Sequence, residues 1–139
     1  MKKSLLLITS AMIAFSVSGA SVEDGYEERK TFRELLSCAN LSQTLALIKD
    51  EKKKLDLNSF KQHPDHRRYL HYLNISNTYE ASILSKGYYQ PVDISYERGK
   101  ATGFSKGILE AYKINFSSEL FSWLKDKIKQ CESKFGSIK

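Results

Sequence analysis

No stretch of this chain alternates apolar and polar residues between turn signals, so nothing in it argues for β-strands. No internal repeat and no low-complexity tract stands out either. Cysteine is scarce: Cys38 and Cys131 stand alone, without the paired spacing of a zinc site. No serine lies in a GxSxG turn, which leaves a hydrolase without support. After the first twenty residues no apolar run is long enough to span a bilayer, because a spanning helix needs roughly 20 such residues. Neither cofactor nor metal is called for, and the chain does not read as an enzyme.

What is present begins with MKKSLLLITSAMIAFSVSGA, in which Lys2 and Lys3 precede an apolar run from Leu5 to Val17 and small residues at Ser18 and Ala20. This is the pattern of a secretory signal peptide over residues 1–20, cleaved after Ala20. No cysteine near the cleavage point marks a lipoprotein. The expected destination is the periplasm or the exterior. Residues 21–139 are then a single small domain with room for one modest core. Loss of Lys2 and Lys3 lowers the formal charge from +6 to +4, a mild excess that only weakly favours a polyanionic neighbour. An exported chain is not expected to meet nucleic acid, so HRRYLHYL, His66 to Leu73, reads as a solvated helix face beside a tyrosine stripe.

Helical spacing governs the rest. From about Asp24 to Ile48, residues Phe32, Leu35, Cys38, Leu41, Leu45 and Ile48 fall three or four apart. KDEKKKLDLNS, Lys49 to Ser59, breaks that pattern and reads as an exposed connection with at most a frayed helical turn. Pro64 and Asp65 open a second helix, whose face carries Tyr69, Tyr72, Leu73, Ser76, Tyr79 and Ile83 and which Gly87 stops. A third, from about Asp93 to Tyr112, sets Ile94, Ala101, Phe104, Ile108 and Tyr112 on one arc. The fourth, capped by Asn115 or Ser117, carries Phe121, Leu124, Ile128, Cys131 and Phe135. The expected fold is all-α, a compact bundle of about four helices. Cys38 and Cys131 fall on the inward stripes of the first and last helices, and in an oxidising compartment they are expected to form one disulfide; two free buried thiols are the alternative. A bridge across 93 positions restricts the unfolded chain by on the order of 4 kcal/mol.

GKATGFSKG raises the sharpest choice. A phosphate-binding loop needs a lysine and a hydroxyl directly after its last glycine, whereas Gly103 is followed by Phe104 and Gly107 by Ile108. In a helix, Gly99, Gly103, Gly107 and Ala111 form one row, at a cost of roughly 1 kcal/mol for each glycine relative to alanine. Close packing against another helix is the leading account of that cost. A docking groove for a partner or a second copy, and a helix broken at Gly99 or Gly103, are the others.

His63, His66 and His71 do not converge by helical count, and Glu97 lacks a catalytic partner. The expected contact surface lies in the segments least needed by the core: Lys49 to Phe60, with Lys52, Lys53 and Lys54, and Tyr88 to Val92, where Tyr88 and Tyr89 either anchor a partner or cap the end of the bundle.

LLSCANLS, Leu35 to Ser42, and ILEAYKINFSSEL, Ile108 to Leu120, resemble segments of the periplasmic immunity proteins that neutralise type VI secretion amidase effectors. The likeness implies a small helical disulfide-containing protein that dimerises and plugs a toxin's catalytic cleft. In that family a second cysteine lies just before the tyrosine; here Gly107, Ile108 and Leu109 occupy that neighbourhood, and no site residue carries over. The expected role is a non-enzymatic inhibitor or immunity protein. Its partner would be a protein of the cell envelope, a toxin or a cell-wall hydrolase, and the resemblance also implies a homodimer. A structural or stress-related envelope protein that binds surfaces through basic charge is the alternative.

Overall fold

The computed structural model describes residues 25–53, 56–115 and 117–138. The signal-peptide assignment to residues 1–20 lies outside the described residues. Those described form five helices and no strand: α1 (Tyr26–Lys53), α2 (Leu57–Gln62), α3 (Pro64–Ser85), α4 (Pro91–Asn115) and α5 (Ser118–Phe135). None is long and apolar enough to cross a membrane.

The first helix is the centre of the fold, and α3, α4 and α5 each pack against it. All six residues of its expected stripe are buried, but so are Leu36, Ala39, Ser42, Thr44 and Ala46, so α1 is covered on more than one face. Its polar residues tolerate this because their side chains bond to the helix's own carbonyls. Asn40 donates to the Leu36 carbonyl (2.8 Å), Ser42 to that of Cys38 (2.8 Å) and Thr44 to that of Asn40 (2.9 Å).

Three apolar clusters run along α1. Phe32 and Leu36 meet Ile83 of α3 and Ile94 of α4. Leu35, Cys38 and Ala39 meet Tyr72 and Cys131. Leu41, Leu45 and Ile48 meet Ile108 and Tyr112 of α4 and Leu124 and Ile128 of α5. The Cys38–Cys131 disulfide joins the first and last helices across a Cα separation of 5.8 Å.

The segment expected as an exposed connection is instead largely helical. The first helix continues to Lys53, and Asp56 caps the six-residue α2 by accepting from the amides of Asn58 (2.9 Å) and Ser59 (3.1 Å). The Ser59 hydroxyl and these amides hold the Asp56 carboxyl below its usual range. A partly buried ion network centred on Asp65 then fixes α1, α3 and α5 together. Asp65 receives Lys49 at 2.6 Å and also Arg68, whose Nε reaches Glu132 at 2.7 Å. His63 caps α3 through Nδ1, which accepts from the Asp65 amide at 3.2 Å, and Gly87 ends the helix with φ of +70°. Asp93 accepts from the Gln90 amide (2.7 Å) at the start of α4. Ser117, one of two expected caps, accepts from the Leu120 amide (3.2 Å) in α5.

Candidate interaction surface

The glycine row faces outward. A Cβ placed on Gly99, Gly103 or Gly107 would meet no atom within 4 Å, and Ala111 is exposed. The expected packing of this row against another helix of the chain is therefore corrected: among the described residues nothing covers it. The reason lies across the helix. Ile94, Ser105, Ile108 and Tyr112 are the buried residues of α4, and the row stands roughly opposite them by the 100° count. Phe104, expected on the buried arc, is 55% exposed.

Phe104 instead forms an edge-to-face pair with Trp123 of α5, ring centroids 6.4 Å apart. This pair and the Tyr112–Phe121 contact at 6.3 Å bring side chains of α4 and α5 together, yet the two backbones make little direct contact. Between them α1 stays open as the floor of a valley. One groove of about 190 Å³ runs between α1 and α5, lined by Glu34, Ser37, Cys38, Leu41, Cys131 and Lys134 among others. A second, of about 320 Å³, runs between α1 and α4, lined by Arg33, Ser37, Glu97, Lys100, Ala101 and Phe104. The two share Ser37. The floor is mainly apolar and includes the disulfide, while charged side chains form the rims.

Those charges are partly neutralised. Glu97, 11% exposed in its side chain, lies 4.0 Å from Arg33 and 3.5 Å from Lys100, and Glu34 pairs with Lys134. The arrangement suits recognition. It offers an apolar trough, an aromatic pair at one border and fixed charges along both edges.

Tyr88 and Tyr89 lie elsewhere and are not free anchors. Both pack on the cluster of Phe32, Leu36, Ile83 and Ile94; Tyr89 meets the Phe32 ring at 6.5 Å, and Arg29 lies 5.8 Å over its ring. Burial pushes the Tyr89 phenol up. A Cβ on Gly25 would collide with the Tyr88 ring, so the chain entering α1 lies directly against it. Both rings are half-buried on that cluster, the packing expected of an end cap. The side chains of Lys52 and Lys53 and all of Lys54, expected in the contact surface, lie outside the described residues.

The histidines remain apart in function. His63 is a helix cap, while His66 lies between the tilted rings of Phe60 (4.9 Å) and Tyr69 (5.7 Å), where burial lowers its pKa. Among the described residues no group of three His, Cys, Asp or Glu side chains is placed to hold a metal ion.

Trp123 was the signal that helical periodicity passed over. It is the one tryptophan of the chain and falls off the α5 stripe of Phe121, Leu124, Ile128, Cys131 and Phe135. The chain matches no protein-family model, and no curated protein or solved structure is significantly similar to it.

Proposed function

We propose that this chain is a compact, disulfide-pinned helical bundle that works by binding, as an exported, non-enzymatic inhibitor or immunity protein of the cell envelope. Its partner is a protein, a toxin or a cell-wall enzyme of the class that the resemblance to amidase immunity proteins implies. The observation that carries this reading is the partly exposed Phe104–Trp123 pair, whose Phe104 lines the second of two grooves that share Ser37. Phe104 and Trp123, 55% and 37% exposed, lie ring against ring next to an apolar groove, and aromatic anchors grouped in this way suit a contact surface. The uncovered glycine row on the neighbouring face of α4 supports it, since it lets a second backbone approach closely.

The test is native purification of the tagged protein, expressed with its own leader, followed by identification of what travels with it. A single stoichiometric partner is expected. Phe104→Ala combined with Trp123→Ala should reduce its recovery at least about ten-fold while the helical content stays unchanged, as expected for exposed aromatic anchors. Recovery of the same partner by the double variant would overturn the reading. Retention on anionic vesicles with no stoichiometric protein partner, lost at high salt, would favour the surface-adhering envelope protein instead.

A further inference from the structure

We infer that the valley between α4 and α5 receives an acidic segment of the partner protein, one that carries an aromatic or aliphatic residue between carboxylates. The inference rests on the docking reading above and specifies what docks. Four cationic side chains line the two grooves: Arg33, Lys100, Lys127 and Lys134, against only two carboxylates, Glu34 and Glu97. Both carboxylates are already engaged, Glu34 by Lys134 and Glu97 by Arg33 and Lys100 together. Among the described residues Lys127 meets no carboxylate, and its ammonium donates to the Gln130 side chain at 3.3 Å. The valley therefore presents a surplus of two positive charges.

Those charges come from all three walls. Arg33 belongs to α1, Lys100 to α4, Lys127 and Lys134 to α5, so the surplus surrounds the trough instead of lying along one helix. Between them are Leu41, Ala101, Phe135 and the disulfide, an apolar floor that strengthens interactions at its rim by displacing water. Groove volumes of about 190 and 320 Å³ suit a few side chains of an extended loop more than a whole helix. An apolar residue of that loop would rest against Phe104 and Trp123 while its flanking carboxylates reach the cations on either side.

The sole tryptophan provides the readout, because Trp123 touches Phe104, which lines the groove between α1 and α4, and no other residue contributes indole emission. The probes are two capped, tryptophan-free pentapeptides. One has a phenylalanine flanked on each side by two glutamates, and in the other the glutamates are glutamines. The expected result is a saturating change in Trp123 emission with the glutamate peptide, at least about ten-fold weaker with the glutamine peptide. Lys100→Glu with Lys127→Glu, both on the surface, should weaken the glutamate peptide by a further order of magnitude or more with the circular dichroism unchanged.

Equal affinity for the two peptides, or an unaffected double variant, would overturn the acidic assignment and leave docking in the valley standing. No emission change with either peptide would overturn it as well. In that case undiminished recovery of the native partner by the Phe104 and Trp123 variants would remove the docking reading separately.

Discussion

Tyr72 is fully buried and its hydroxyl donates to the Gly136 carbonyl at 3.1 Å, so a phenolate there would lose both water and its acceptor. Burial first, and the nearby Glu132 second, push this phenol up to about 12. An unfolded tyrosine ionises near pH 10, so between about 10 and 12 the unfolded chain binds fewer protons than the folded one and stability falls as pH rises. Chemical denaturation at increasing pH should show this decline, at roughly 1 kcal/mol per pH unit for a fully expressed shift, and Tyr72→Phe should remove that part of the slope. Asp65 carries a different kind of constraint. Its carboxylate is buried and faces Lys49 and Arg68, so Asp65→Asn leaves two cations undercompensated and should cost about 2–4 kcal/mol in unfolding free energy, measured by urea titration.

At the scale of the helix, the glycines of α4 weaken the element that carries them. Their Cβ positions are open, so Gly103→Ala or Gly107→Ala should each stabilise the isolated protein by about 0.5–1 kcal/mol, seen as a raised thermal midpoint. Gly103→Leu should leave the isolated protein folded and impair partner recovery, because it fills the approach to the backbone. The helix stripes were readable because three-to-four spacing survives in any α-helix that buries one side: Tyr72, Ser76 and Ile83 in α3, and Leu124, Ile128 and Cys131 in α5, are buried as the spacing predicts. The outward turn of the glycine row was not readable. Periodicity groups residues into faces but does not say which face has a neighbour, and Ser105, a polar residue, took the buried position roughly opposite the row. The central place of α1 was hidden for a related reason. Its small and hydroxylic residues, Ala39, Ser42, Thr44 and Ala46, look like a solvated side in the sequence but permit close packing once their hydroxyls bond back to the helix. The valley needed a third dimension altogether, since its lining residues come from three separated segments.

Across the whole molecule, the covalent link between α1 and α5 acts together with the Asp65 network to hold α3 and α5 on the central helix. Replacing Cys38 and Cys131 with alanine should lower stability by on the order of 4 kcal/mol through the freed unfolded chain, read as a drop in the denaturant midpoint. The same two residues also belong to the floor of the proposed docking valley. A thiolate reductant must approach a sulfur directly before exchange can begin. An occupant lying over that floor would stand in the reductant's path, so the rate at which the bridge opens becomes a footprint of occupancy. Complexed protein should release its thiols several-fold more slowly than free protein, which makes the staple itself a reporter of who is bound.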